Sequence, residues 1–419
     1  MVHQTPVGAR DLLPLDVAQK FWIESRLQQV FQRWGYHRII TSTLERLETL
    51  TAGGAVHRST VVQLQDMGDE AGLGLRPELT ASIARAAITR MAEKDCWPQR
   101  LCYSANVFRR GRQATYGGQL EFYQAGVELL GAGGLLADAE VLLLLFDCLN
   151  CLGLKNYHLV LGEAGLAQSL LSIFPEPLGD SVRQAIANLD RITLEQLPLS
   201  AELQELAFFL FDLRGTPREV LTQVAQLNLD EPQQAALNNL KSLIDLLEQH
   251  WAGPVIQAGT PGSPCQIVLD LSLIQSFDYY TGLVFSVVSE NGAGARVLAQ
   301  GGRYDQLLGL YHPQGKSEPG IGFVLNVEDV HQALLRDNQL PTSTPASDWL
   351  VVATSPPAYG AALAHAEYLR TTNPDLRVEL DLGDRQSPTA IQQYGHSQGI
   401  SRIAWVDSDG TVRIEDLKP

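Results

Sequence analysis

Two runs, Leu101-Cys-Tyr-Ser-Ala-Asn-Val-Phe-Arg-Arg110 and Gln119-Leu-Glu-Phe-Tyr-Gln-Ala-Gly-Val-Glu-Leu-Leu130, have the length and make-up of β-strands. The Gly-rich segment Gly111 to Gly118 joins them, so the pair reads as a long-looped hairpin. Period two puts Gln124, Gly126 and Glu128 on one face. A glycine between two polar groups leaves room for a ligand to approach the backbone. Upstream, Leu75-Arg-Pro-Glu-Leu-Thr80 ends a strand and opens a helix predicted over Thr80 to Lys94, with Thr80 as N-cap. Earlier still, Ile23, Leu27, Val30, Phe31 and Trp34 share one helical face. Gly35 ends that helix, and Tyr36 to Thr43 reads as a strand. Downstream, Asp138 to Leu152 reads as a helix.

From about Glu163 to Trp251 the pattern is helical and rich in Leu, Ala and Gln, an inserted subdomain whose expected role is packing. Strand signals return at Gln266, at Leu283 to Val288 and at Arg296 to Ala299, with a turn at Asn291 to Gly294. Gly320-Ile-Gly-Phe-Val-Leu325 leads into a helix from Glu328. The tail then alternates strand (Trp349 to Thr354), helix (Tyr359 to Arg370), strand (Arg377 to Leu382), helix (Ser387 to Gln398) and strand (Arg402 to Val406). That order predicts a small, mostly parallel α/β domain. The expected organisation is an α+β core over 1–162 and 265–337, a helical insertion over 163–264, a linker over 338–347 and a C-terminal α/β domain over 348–419.

At 419 residues the chain exceeds the size of a single core. Hydrophobic residues make up 45 % and charged residues 19 %, which excludes disordered, collagen-like and disulfide-scaffold classes. A net charge of −16 argues against a polyanion partner unless a basic patch overcomes it. Five sparse cysteines do not form a disulfide framework. Cys148 and Cys151 have redox spacing but fall late in a helix, whereas reactive pairs sit at helix N-termini, and no matching zinc ligands accompany them. No targeting segment is expected, because Met1-Val-His-Gln-Thr-Pro6 lacks a basic region followed by an apolar run, and no membrane span, because Asp138, Glu140 and Asp147 interrupt the longest apolar run. The expected location is cytoplasmic.

Chemistry-bearing residues cluster in four motifs: Arg76-Pro-Glu-Leu-Thr80, Phe122 to Glu128, Asp278-Tyr-Tyr-Thr-Gly282 and Gly301-Gly-Arg-Tyr-Asp305. Together they supply carboxylates, tyrosines, a glutamine and glycines, an inventory suited to a small zwitterion. These motifs, with Gly8-Ala-Arg-Asp-Leu-Leu-Pro14 and Phe108-Arg109, resemble the class II aminoacyl-tRNA synthetases of the histidyl branch over about Gly8 to Val330. The resemblance implies a six-stranded antiparallel sheet flanked by helices, built as a dimer. It implies that Glu78 and Glu128 contact a histidine ammonium, with Gln124 and Thr80 near the ligand's head. Tyr280 and Tyr304 would meet the imidazole, with Tyr279 beside them. Arg109 would belong to a vestigial phosphate site.

Departures from that family bear on activity. The position of its catalytic arginine is Gln275, and no Lys or Arg occurs between Cys265 and Ala295. Asp329 replaces the arginine that follows the Glu of motif 3. Adenylate formation needs cations facing phosphate. Ser42 replaces the motif 1 proline, the segment Gly111 to Gly118 lacks the usual Glu-Arg-Pro run, and the tail from Asp348 carries a net charge of −4. This pattern resembles the family of ATP phosphoribosyltransferase regulatory subunits. That resemblance implies a non-catalytic chain in a hetero-oligomer, a hetero-octamer, with a short catalytic subunit, and feedback inhibition by L-histidine in the first step of histidine biosynthesis. No tRNA, cofactor, metal or membrane partner is expected, and no phosphoribosyl-pyrophosphate loop is present. The alternatives are an active histidyl-tRNA synthetase, separable by an aminoacylation assay, and a binding module that recruits tRNA or a kinase-like partner.

Overall fold

The computed structural model describes residues 5–54, 56–64, 72–91, 97–110, 119–251, 265–273, 279–291, 294–383, 385 and 387–417. The loop Gly111 to Gly118, Gln275 and Asp278 lie outside them. The chain forms two compact units, Met1–Leu340 and Pro341–Pro419.

The first unit opens with helix α1 (Pro14–Arg33), which buries Ile23, Leu27, Val30 and Phe31 as the apolar spacing predicts. Strand β1 is only His37–Arg38, shorter than the expected Tyr36 to Thr43. Beyond it the carbonyls of Thr41 and Ser42 accept from the Arg76 guanidinium at 2.9 and 3.2 Å, so they are turned away from a ladder. Strand β2 (Leu44–Arg46), helix α2 (Leu47–Thr51), strands β3 (Val62–Leu64) and β4 (Leu73–Leu75) and helix α3 (Thr80–Arg90) follow. The strands β2, β4 and β3 make a small antiparallel sheet.

Then come β5 (Gln99–Phe108), β6 (Glu121–Leu130), α4 (Leu135–Leu152) and β7 (Tyr157–Glu163). The insertion holds α5 (Ala164–Leu171), α6 (Leu178–Ala187), α7 (Arg191–Gln196), α8 (Ala201–Asp212), β8 (Arg214–Gly215), α9 (Pro217–Val224) and α10 (Glu231–Trp251). It is therefore not all helical: Arg214 and Gly215 pair with Asp270 and Leu269. Strands β9 (Cys265–Asp270), β10 (Leu283–Asn291), β11 (Gly294–Arg303) and β12 (Gly320–Asn326) and helix α11 (Val327–Arg336) complete the unit.

The main sheet has nine strands among the described residues, in the order β1-β5-β6-β12-β11-β10-β7-β9-β8. The six central strands, β5 to β7 in that order, are antiparallel throughout. The other three add to the edges, β1 and β9 by parallel pairing. The period of β6 sorts its side chains as expected: Ala125, Val127 and Leu129 enter the main core with α1, α4 and the insertion. Gln124 and Glu128 point to the face covered by α3 and a second core of tyrosines and leucines. Arg303 joins β11 to the start of α4, donating from Nε and Nη2 to Asp138 at 2.9 and 2.6 Å.

Cys148 and Cys151 lie in the last turns of α4. Burial pushes the Cys148 thiol well above its ordinary pKa, the opposite of an activated thiolate. No described helix is long and apolar enough to cross a membrane. No group of His, Cys, Asp and Glu among the described residues is placed to hold a metal ion.

The second unit contains β13 (Trp349–Ala353), α12 (Tyr359–Thr372), β14 (Val378–Leu380), α13 (Pro388–Ser397), β15 (Arg402–Val406) and β16 (Val412–Asp416). Strand β13 pairs in parallel with β14 and β15. Strand β16, which the apolar pattern did not signal, adds antiparallel to β15. Its Val-Arg-Ile-Glu-Asp sequence is mostly exposed and lacks the apolar run of a buried strand.

Candidate functional site

Helix α3 begins where a carboxylate meets its free amides. Glu78 accepts from the backbone N–H of Thr80 at 2.6 Å and of Ala81 at 2.9 Å. A helix N-terminus carries partial positive charge and unpaired donors, so it holds a carboxylate well. Thr80 is therefore the first helical residue and not the cap, and its hydroxyl is free to donate to Glu128 Oε1 at 2.7 Å.

Glu128 sits on β6 and is 1 % exposed. Its second oxygen accepts a short hydrogen bond from the Tyr304 hydroxyl. One oxygen thus faces α3 and the other faces the aromatic cluster. A side chain on Gly322 of β12 would collide with this carboxylate, which is why a glycine faces it. Burial pushes the Glu128 pKa up to about 8; the hydrogen bonds from Tyr304 and Thr80 oppose that shift, and the Glu78 charge adds to it. Burial likewise raises Glu78, against the pull of its amide donors, Thr80 and Arg109.

Tyr279 stands edge-on to Tyr280 and to Tyr304, with ring centroids 4.9 and 5.8 Å apart. Gln124 donates from Nε2 to Asn326 Oδ1 at 3.3 Å. Arg109 donates from Nε to the Pro77 carbonyl at 2.6 Å, and burial lowers its pKa while Glu78 supports the charge.

Glu78, Thr80, Arg109, Gln124, Glu128, Tyr279, Tyr280 and Tyr304 all line one cavity of about 30 Å³. The eight positions singled out in the sequence are thus brought together, from five separate stretches of chain. The expected open space over Gly126 is not there. Tyr103, its register partner on β5, lies across it, with Oη 2.6 Å from where a β-carbon would stand. Tyr103 also lines the cavity, and the hairpin register would have exposed it: a bulky aromatic opposite a glycine.

Other motif residues serve the scaffold. Arg76 donates to Thr41, Ser42 and Asn106 carbonyls. Arg303 is held by Asp138 and Asp305. Arg10 pairs with Glu328 at 3.5 Å, and Glu328 in turn accepts from the Tyr123 amide. Asp329, at the position of the absent motif 3 arginine, pairs with Arg296 at 3.2 Å.

A family model described as histidyl-tRNA synthetase matches residues 8–330. An ATP phosphoribosyltransferase regulatory subunit from Trichormus variabilis is 60 % identical over 417 residues, covering all of both chains. One from Gloeothece citriformis is 58 % identical with the same coverage. Among solved structures, an ATP phosphoribosyltransferase regulatory subunit/histidyl-tRNA synthetase from Bacillus halodurans has a TM-score of 0.78 at 26 % identity, covering 97 % of this chain and 99 % of that one. Full-length identity at this level, on a histidyl-tRNA synthetase fold whose catalytic arginine positions hold Gln275 and Asp329, places the chain in the family of ATP phosphoribosyltransferase regulatory subunits.

Proposed function

We propose that this chain is the non-catalytic regulatory subunit of an ATP phosphoribosyltransferase. It is required by a separate short catalytic subunit, and it carries feedback inhibition by L-histidine at the first step of histidine biosynthesis, in the cytoplasm. The observation that carries this reading is a gathered cavity of histidine-type residues in a chain whose adenylation cations are replaced. Glu78 and Glu128 supply negative charge for an ammonium, Gln124 and Thr80 supply hydrogen bonds, and the tyrosines surround the ring. Arg109 is the cation left for a carboxylate, as Gln275 supplies none. The cavity is small, about 30 Å³, and the carboxylates, hydroxyls and aromatic rings that line it are the groups a zwitterionic amino acid with a ring needs. Feedback through the site requires that histidine bind two states of the assembly unequally, because a ligand with equal affinity for both shifts nothing.

The test is reconstitution. Mixed with the short catalytic subunit, the chain should raise its phosphoribosyl-transfer rate and give one larger species in sizing, consistent with a hetero-octamer. Equal activity of the catalytic subunit alone would overturn the reading. The net charge of −4 on the tail from Asp348 supports a chain that does not bind tRNA.

Self-association as a dimer is supported by α1 and its N-cap residue, where Leu13, Val17 and Phe21 are exposed at i, i+4 and i+8, and by Ile40 at 83 % exposure. A two-fold interface uses each patch twice. Phe21→Ala should therefore cost about 1 kcal/mol per copy and weaken self-association roughly thirtyfold, measured by sedimentation equilibrium.

A further inference from the structure

Helices α9 and α10 of the insertion enclose a groove of about 590 Å³. Its floor is Leu221, Leu237 and Ile244, which pack on the main core. Asn238, Asp245 and Glu248 stand exposed along its walls. The lining on α10 runs from Gln234 to Glu248, about 21 Å of helix axis, so the groove has the length of about four helical turns. Asp245 and Glu248 form no ion pair among the described residues. Arg218 and Lys241 share the walls, but the lobe around them is strongly acidic. Residues 164–251 hold twelve Asp and Glu against five Lys and Arg, a net charge of −7.

A groove with an apolar floor and polar walls receives one face of an amphipathic segment. The sign of the charge decides which segment. A lobe that met nucleic acid would be basic, so this one repels a polyanion. It attracts a basic protein surface, speeding and orienting the encounter. Resting on the reading of this chain as a regulatory subunit, we infer that the groove between α9 and α10 takes a basic amphipathic segment of the short catalytic subunit. The floor covers the segment's apolar side chains, and Asp245 and Glu248 meet its Lys or Arg. The field of the lobe turns away segments of the opposite sign. The insertion is then a docking lobe as well as a packed one.

The experiment measures association of the full chain with the purified short catalytic subunit by interferometry, beside a tRNA-binding assay. One variant combines Asp245→Lys with Glu248→Lys, and a second, Asn238→Arg, fills the groove. A control of equal charge change combines Glu202→Lys with Glu205→Lys on α8, outside the groove. All these side chains but those of the floor are exposed, so melting temperatures should stay at the parent's value. The two groove variants should each raise the Kd for the catalytic subunit at least tenfold, the charge-reversed one mainly through a slower on-rate that high salt makes less distinct from the parent's. The control should change the Kd less than threefold, and histidine binding to the isolated chain should be unaltered in all three. Assembly of both groove variants at the parent's affinity would overturn this inference alone. Equal loss in the control would assign the effect to overall charge and overturn it too, as would tRNA binding by the parent that the groove variants lose. A parent chain that does not assemble with the catalytic subunit would remove the functional reading and this inference with it.

Discussion

Given L-histidine and ATP, the chain alone should exchange pyrophosphate at least a thousandfold more slowly than the ~1 per second of an ordinary synthetase. The physical ground is charge. A unit pair at 4 Å is worth about 4 kcal/mol at an effective dielectric of 20, and each 1.4 kcal/mol is tenfold. Gln275 offers no charge where the related enzymes hold an arginine. Asp329 adds a negative one and spends it on Arg296. Arg109 is partly buried and committed through Nε to Pro77, so it does not replace two cations. Pyrophosphate exchange measured on the purified chain checks this; turnover near the synthetase rate would make the protein an enzyme in its own right.

The second large effect is at Glu128. Replacing it by alanine removes a charge-assisted hydrogen bond, about 1.5–3 kcal/mol, so histidine should bind the isolated chain roughly ten- to a hundredfold more weakly. The raised pKa adds a direction. Below about pH 8 the carboxyl is mostly protonated, and the ligand's ammonium needs it ionised. Histidine binding should therefore tighten as pH rises from 7 toward 8 and release a proton, visible as buffer-dependent heats in calorimetry. Glu128→Gln should lose that slope. The same shift acts on folding: the folded chain keeps a proton that the unfolded chain gives up above its ordinary value of 4.5. Stability from this group is thus present below 4.5 and falls as pH rises toward 8.

Much of the site is legible in the sequence because its residues fall in short motifs whose elements are strongly patterned. Period two along Glu121–Leu130 places Gln124 and Glu128 on the same face before any coordinates. What is not legible depends on partners distant in sequence. The first amides of α3 are held by the Glu78 carboxylate, with Leu79 at the N-cap position, and the Thr80 hydroxyl goes to Glu128, 48 residues away. The space over Gly126 belongs to Tyr103, which only the register of a hairpin with a long loop reveals. The strand after Tyr36 stops early because Arg76 claims its carbonyls. The sheet exceeds six strands because β1, β8 and β9 add at its edges, two of them as two-residue pairings too short to leave a pattern. Strand β16 is missed for a different reason: a mostly exposed edge strand need not be apolar.

The most direct test of feedback through this chain is a histidine titration of phosphoribosyl transfer by the reconstituted complex, with the parent chain and with Glu128→Ala. The expected result is an unchanged uninhibited rate, an intact assembly and a half-inhibitory histidine concentration raised at least tenfold. If Glu128→Ala, and Glu78→Ala beside it, left that concentration where the parent has it, the sensor would lie on the catalytic partner or at the interface, and this cavity would not be where histidine acts.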